Sequence, residues 1–454
     1  MSLASLLSIA RSALAVQQRA MDVTAHNVAN AQTPGYSRQR LNVSAAPPLV
    51  STLGTLGRGV TSAGISRARD LFSDAVYRRE SGLLGDSGSM RDTLSQVESA
   101  MNEPSDSGVA AALDGLFASF SDLANDPAGS TSRALVQQAA SRFVQRLHQL
   151  DSDVSSVTDD ALARLRSQVD QLNGLATRIA DYNQQILAAQ GTGGAPDLED
   201  QRDVLVDQVS GLVGARVLQH ADGTIAVLAG DAVLVDGSTV QTFEMRGLAT
   251  GGFALGVAGG GPQVDPGGGS VGALVRLVDT TLPGVRQQLD TLARNLVAEV
   301  NRIHRTGYTL TGATGTDFFD RAGLTAHTIA LAPGVAASGD AIAAGGTAAA
   351  GDGSVALQLA GLARTGLVAL GGRTLRSYYT DVAAAVGTGV SDAAQDADAY
   401  GTMADAADTS RSNTSGVSVD EEMVALISQQ QAYSAASRLV KAADEMMQDI
   451  LQML

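Results

Sequence analysis

The side chains best suited to chemistry are few in this chain and poorly spaced for it. Five histidines, at 26, 148, 220, 304 and 327, show no spacing that suggests metal ligation. There is no cysteine, which removes disulfides, thiolate zinc sites and thiol nucleophiles together. The only lysine, Lys441, follows no glycine loop, so a Gly-x-x-x-x-Gly-Lys phosphate cradle is absent. The glycine triplets at 259–261 and 267–269 do not read as a clear strand running into a helix. Asp197, Glu199, Asp200 and Asp203 could pair as acid and base. At the head of a helical segment, however, carboxylates ordinarily cap the helix or complement its dipole. His148 falls inside a long helical pattern and reads as a satisfied surface residue. An enzymatic insert in 211–270 or 321–372 would have only His220 and His327 to work with. The reading is of no enzyme: no catalytic residues, no cofactor and no metal site.

Composition narrows the classes further. The chain has 454 residues, enough for two to four domains, and a net charge of −16. That balance argues against a nucleic-acid surface, which needs clustered cations. Arg58, Arg67, Arg69, Arg78 and Arg79 form a mild cluster that reads as a solvated or interface patch. No cleavable secretory signal is visible, since Arg11 and Arg19 interrupt the first twenty residues, and no stretch is long and apolar enough to span a membrane.

What the chain does hold is pattern at its two ends. Leu7, Leu14, Met21 and Val28 repeat every seven residues, with Leu3 and Ala10 on an interlaced ladder. Leu426, Tyr433, Val440, Met447 and Leu454 repeat likewise, interleaved with Ala436, Ala443 and Ile450. A seven-residue repeat keeps one stripe facing a neighbouring helix, as in a coiled coil. Charge favours pairing the two ends: Arg11, Arg19, Arg38 and Arg40 face only Asp22 at the start. Asp420, Glu421, Glu422, Asp444, Glu445 and Asp449 outnumber Arg438 and Lys441 at the finish. Each exposed pair contributes less than about 1 kcal/mol, so charge biases partner choice more than it stabilises. The first and last helices are expected to seek each other, other copies, or both.

Between the ends the pattern is nested. Thr33-Pro34-Gly35-Tyr36 punctuates the first helix, with Pro-Gly suited to the centre of a type II turn. Residues 41–65 read as extended or looping, and helices are expected at 70–101 and 109–124. From Ser132 to Gln190 there is no proline and one glycine, and apolar residues recur at three/four spacing. That predicts a rod of roughly 90 Å, or two helices broken near 151–160. A helix over 197–213 precedes period-two alternation at Val217 to Val235, a β meander. Glycines between 247 and 272 suggest a flexible connection, 271–305 returns to helix, 321–372 reads as β, and 376–412 is helical. The expected fold is mainly α with β inserts in an elongated, nested arrangement. Residues 1–45 plus 413–454 would form a coiled-coil assembly domain, 46–210 plus 271–320 plus 373–412 a helical body, and 211–270 and 321–372 β-rich outer material.

These residues carry a resemblance. His26-Asn27-Val28-Ala29-Asn30-Ala31-Gln32-Thr33-Pro34-Gly35-Tyr36-Ser37-Arg38-Gln39 resembles the N-terminal signature of bacterial flagellar axial proteins. Ser418-Val419-Asp420-Glu421-Glu422-Met423, Gln430 to Tyr433 and Ala442 to Met446 resemble their C-terminal signature. Asp197 to Asp203, Gly268 to Leu274, Gly307-Tyr308 and Asp317-Phe318-Phe319 are similar to family members at the first hook–filament junction. The resemblance implies a ring of copies on the flagellar axis, assembled through terminal helices that order on joining it. It implies uncleaved export through the flagellar type III apparatus to an extracellular site. The implied partners are the hook protein, the second hook–filament junction protein, and a cytosolic export chaperone on the C-terminal helix, with no nucleic acid and no membrane. The alternative is a hook or distal-rod protein of the same family, which should lack the 132–190 stretch. The assembly contacts expected are Leu7, Leu14, Met21, Val28, Leu426, Tyr433, Val440, Met447 and Leu454. Asn30, Thr33, Pro34, Gly35 and Tyr36 form the signature turn expected to redirect the chain outward.

Overall fold

The computed structural model describes residues 3–51, 54–190, 194–248 and 252–453. Helix α1 (Leu3–Asn30) leads into a ribbon of β1 (Gln39–Ala45) and β4 (Val60–Arg67), with a short hairpin of β2 (Leu49–Ser51) and β3 (Gly54–Leu56) at its tip. The ribbon lies along α1: Val60 N–H donates to Ser12 Oγ at 3.3 Å, and Arg19 Nη1 to Ser62 Oγ at 2.5 Å. Helices α2 (Leu71–Met101), α3 (Val109–Asn125), α4 (Ser130–Ala189) and α5 (Pro196–Val213) follow. Of the two readings of 132–190, the single rod holds, because no break interrupts α4 over its 60 residues.

Each boundary has a local cause. Asp70 caps α2 by accepting from the N–H groups of Phe72 and Ser73, and Asn102 closes it in the left-handed region at φ 52°. Pro196 opens α5, where its missing N–H costs nothing, and Gly214 ends it at φ 55°. Helix α2 changes character along its length. Its first half buries Asp74, Arg78 and Glu80, while its second half buries Leu94, Val97 and Met101. Helix α10 (Leu375–Ser415) runs antiparallel along it, with Gly387 beside Glu98, Gly389 beside Leu94 and Gly401 beside Leu84. Small residues at these crossings let the two backbones approach closely.

The middle insert is a meander of β5 (Arg216–Gln219), β6 (Ile225–Ala229), β7 (Ala232–Asp236) and β8 (Thr239–Val240), in that order across the sheet. It continues into β9 (Phe243–Gly247), β10 (Phe253–Val257) and β11 (Gln263–Val264). The glycine-rich 247–272 span is thus partly strand, a correction to the flexible connection expected there. Its second glycine triplet stands between β11 and α6 (Gly269–Arg276). A widened π turn at Leu277–Thr281 then joins α6 to α7 (Leu282–His304). The wider turn accommodates Pro283, which has no N–H to offer and whose ring crowds a regular helix.

Residues 321–372 do not form the β insert expected of them. They hold α8 (Pro333–Ala337), α9 (Ser354–Gly361), 3-10 turns and isolated bridges such as Phe319–Leu331 and Leu367–Arg373. So Ala/Gly-rich a span has few β-branched side chains to fill a pleated face. Its Ile329, Val335, Ile342, Val355, Leu359 and Leu362 instead join the core shared by α3, α4 and α7. Buried donors and acceptors pin its backbone. Arg133 donates to the carbonyls of Pro127, Gly339 and Ile342. Burial pushes His304 below the ordinary histidine range, against the opposing pull of the Thr316 carbonyl and Asp317. The neutral ring donates from Nδ1 to Thr316 O and accepts from Ala343 N–H at Nε2, both at 2.8 Å.

Side-chain amides fasten the inserts to the helices. Asn173 exchanges two 2.8 Å bonds with the backbone of Phe243. Asn183 clamps Ile225 and reaches Gly237. Asn301 donates to Phe319 O and accepts from the N–H groups of Phe318 and Phe319. Replacing Asn301 with alanine leaves three buried backbone groups unpaired, at about 1–3 kcal/mol each when fully desolvated. Asn301→Ala should therefore lower urea-unfolding stability by about 2–4 kcal/mol, and a loss below half a kcal/mol would show that the clamp is not needed.

Candidate assembly interface

The signature turn is built as its residues require. Tyr36 N–H donates to Thr33 O at 3.2 Å, Pro34 takes the second position, and Gly35 takes the third at φ 79°. Glycine is needed there twice over, because a Cβ at Gly35 would also stand 2.3 Å from Val204 Cγ2 on α5. Asn30 receives Thr33 Oγ1 at 3.2 Å and donates to His26 O, which ties the turn to the last turn of α1.

Beyond the turn the chain meets its other end. The Asn27 side chain is buried and all four of its hydrogen-bonding positions are used. Oδ1 accepts from Tyr36 Oη at 2.8 Å and Gln39 N–H at 2.9 Å, while Nδ2 donates to Gln39 O and to Glu422 Oε2, each at 2.9 Å. Glu422 belongs to α11 (Val419–Met453), and its other oxygen receives Arg38 Nε at 2.6 Å. Arg38 Nη1 also reaches Glu421 at 2.9 Å. Burial pushes the Tyr36 phenol up, as do the carboxylates of Asp197, Asp200 and Glu422, so it remains a donor.

An ion-pair hub lies directly behind. Ser37 donates to Asp200 from both its N–H and its hydroxyl, at 2.8 and 2.7 Å. Arg67 contacts Glu199, Asp200 and Asp203 at 2.7–2.8 Å. Arg69 grips Asp74 with two bonds, Arg78 bridges Asp203 and Asp207, and Arg411 of α10 reaches Asp207 at 2.5 Å while stacking over Tyr77. The arginine cluster and the acidic run, read from sequence as a patch and as helix caps, thus neutralise each other. The exceptions are Arg58, which stays exposed, Arg79, which pairs with Glu80, and Asp197, which meets His26 and Gln39 instead. Burial alone would raise Asp203, but Arg69, Arg67, Arg78 and Arg202 outweigh it and hold the carboxyl below its ordinary range.

Helices α1 and α11 run antiparallel, since Asn27 bonds Glu422 and Thr24 bonds Gln429 at 3.1 Å. Continuing that register sets Gln17 opposite Ala436 and Ala10 opposite Ala443. Ala10, Thr24, Glu422, Ala436 and Ala443 are buried. The contact made within the chain is therefore a heptad ladder of small and polar residues, 422, 429, 436 and 443. The ladder of large residues is placed at its margins. Leu7, Leu14, Met21, Val28, Leu426 and Val440 are half-buried, Tyr433 is 37 % exposed and Met447 39 %. Leu454 lies outside the described residues. Among candidate catalytic groups, His220 pairs with Asp236 and His327 with Asp151, two separate carboxylates. The sequence reading held Asn27, Arg38 and Gln39 only as members of the signature, with no contact assigned to them, and did not single out Arg411. A buried asparagine inside an otherwise amphipathic helix was the available signal.

Known proteins resemble this chain in sequence and in fold. A family model described as the flagellar hook-associated protein FlgK helical domain matches residues 94–319. Models for flagella basal body rod protein and for the flagellar basal body rod FlgEFG protein C-terminal region match 7–36 and 409–453. Flagellar hook-associated protein 1 of Bacillus subtilis is 29% identical over 98% of this chain and 97% of its own length. The protein of the same name from Escherichia coli is 26% identical over 70% of this chain and 60% of its own. In fold, the flagellar hook junction protein FlgK from Burkholderia pseudomallei superimposes with a TM-score of 0.67 at 16% identity, covering 75% of this chain and all of that one.

Two outcomes test the interface. Asn27→Asp replaces two donors with an oxygen facing Glu422 and the Gln39 carbonyl. It should free α11 from α1, seen as rapid amide exchange in 419–436 with α4 unchanged; unaltered protection there would rule out the anchor. The depressed Asp203 value means that the folded chain binds fewer protons than the unfolded one below about pH 4. Its stabilisation is complete above that pH and lost as the pH falls. Asp203→Asn should melt below the parent at pH 7, and the gap should narrow between pH 5 and pH 3; a constant gap would show that the charge is not what holds the hub.

Proposed function

Because this chain belongs to the flagellar hook-associated proteins, we propose that it is a structural subunit of the flagellum at the hook–filament junction, joined to its neighbours through its terminal helices. One observation carries the reading. Helix α11 meets α1 through its small ladder and leaves Met423, Val424, Ile427, Tyr433, Leu439, Met446, Met447 and Ile450 exposed along 35 residues. Large apolar side chains exposed in that number along one helix mark an interaction surface. Among them Tyr433 and Met447 lie on one seven-residue ladder and Leu439 and Met446 on another, the spacing of coiled-coil seams on more than one side of the helix.

The large ladder, Leu7, Leu14, Met21, Val28, Leu426, Tyr433, Val440 and Met447, is then the face offered to other subunits in the axis. The Asn30–Tyr36 turn carries the chain from that inner layer to the helical body, and the ion hub keeps the two in fixed relation. In this reading the units are nested: 1–45 with 413–454 as the assembly layer, and the long helices outside it. The outermost material is 211–270, with 321–372 belonging to the packed helical body. Partners fit the same chemistry. Copies of itself, the hook protein below and the second junction protein above would supply the apolar neighbours that α11 lacks. Before export an unpaired stripe must be covered, which is the task of a cytosolic chaperone on α11. Uncleaved passage through the type III apparatus places the assembled chain outside the cell. No helix among the described residues is long and apolar enough to cross a membrane.

Deleting the gene should leave hooks without filaments and shed flagellin as monomer into the medium, visible by electron microscopy and immunoblot. Normal filaments in the deletion strain would refute the junction role. Val440→Asp should reproduce the deletion phenotype while the purified monomer melts at the parent temperature, since the side chain lies at the margin of the in-chain contact.

A further inference from the structure

A groove of about 900 Å³ runs between α2 and the edge strand β5. One wall is the outer face of α2, where Leu71, Ala75 and Leu83 are exposed and Arg78, Arg79 and Gly82 lie between them. The other is β5, with Leu218 exposed and Arg216 on its rim. The floor is Gly267–Gly269, all at positive φ, where a Cβ on Gly268 would meet nothing within 4 Å. Side chains are missing from the floor, and the walls set apolar residues among arginines, which leaves an open trough with a positive rim. Arg216 has no ion-pair partner among the described residues.

The same molecule carries a ridge of matching character. Over the first turns of α11, Val419, Met423 and Ile427 follow at four-residue spacing with Val424 beside them, all exposed. That spacing is how an amphipathic helix presents anchors to a groove. Asp420 stands next to the ridge, exposed and likewise without an ion-pair partner among the described residues. Ridge and groove sit at one level of the fold. Leu71 and Ala75 flank Asp74 of the hub, and Val419 and Met423 flank Glu421 and Glu422.

We infer that the groove takes the α11 ridge of a second copy, with Asp420 of the incoming helix facing Arg216. This deepens the junction reading and rests on it. A ridge and a groove on different faces of one chain make a head-to-tail contact, which generates a ring when the rotation closes and a helical array when it does not. Charge sets which copy's helix enters and in which direction, while the apolar anchors supply most of the binding.

The chain's lack of cysteine makes the test direct. Full-length protein carrying both Leu218→Cys and Val424→Cys, expressed in the deletion strain, should give a ladder of dimers and higher multimers on a non-reducing gel after mild oxidation of isolated flagella. Each single variant should stay monomeric. Attached filaments without a ladder would overturn this contact and leave the junction role standing, whereas filaments formed in the absence of the chain overturn the junction role itself. Should the cysteine pair prevent attachment, charge exchange decides. Arg216→Glu and Asp420→Arg should each reduce filament attachment several-fold, and the two together should restore it; failure of the double exchange to restore attachment rejects the pairing.

Discussion

One carboxamide holds the two ends of this chain in register. Asn27 lies in the first helix, Gln39 in the strand that leaves it, and Glu422 in the last helix, and the buried Asn27 side chain bonds both of the others. A pair of apolar stripes can slide by a turn at little cost, because dispersion and desolvation are not directional. A buried amide with four satisfied positions cannot, since any shift strands several polar groups away from water. The register of α1 on α11 therefore follows from Asn27, and with it the choice of which heptad ladder is used inside the chain and which is left outside.

The same device recurs wherever an insert meets the helical body. Asn173, Asn183 and Asn301 each present a donor and an acceptor to an extended backbone, standing in for a neighbouring strand. The inserts need this because their sheets are small and their strands short. A helix cannot complete a β ladder with its own backbone, whose groups are already paired, so a side chain of the right length does it. Short extended segments are thereby fixed on long helices without a large sheet to support them.

Packing is graded along the molecule, and the grading fits its role. The helical body from α2 to α10 buries large apolar side chains around the second half of α2 and along α3, α4 and α7. Toward the hub the buried residues become arginines and aspartates, whose directional contacts orient the turn, the ribbon and α11 relative to α5. A cluster of buried ion pairs adds little net stability over an apolar core of the same volume, but breaking one member is costly. The hub is thus suited to fixing an angle between two parts of the chain. Beyond it, α11 turns a ladder of alanines and polar residues to α1, and many of its larger apolar side chains stay exposed.

Much of this was legible in the sequence, and the boundary is physical. Periodicity is a property of consecutive residues, so the long α4, the helices at 71–101 and 109–125, the 217–235 meander and the paired seven-residue ladders could be read directly. Turn chemistry is equally local, and Thr33-Pro34-Gly35-Tyr36 folds as its residue types demand. The Ala/Gly-rich 321–372 span could not be read, because its conformation follows from contacts with distant helices, through Arg133, His304 and the core that its few large apolar side chains join. Nor could the fate of the charges, since Arg67, Arg69 and Arg78 look no different from solvated arginines until folding brings Asp200, Asp203 and Asp207 beside them. The sequence alone determined that the ends are amphipathic helices made for partners. Only the tertiary structure decided which ladder pairs within the chain, because that choice rests on a contact between Asn27 and Glu422 across 395 residues of sequence.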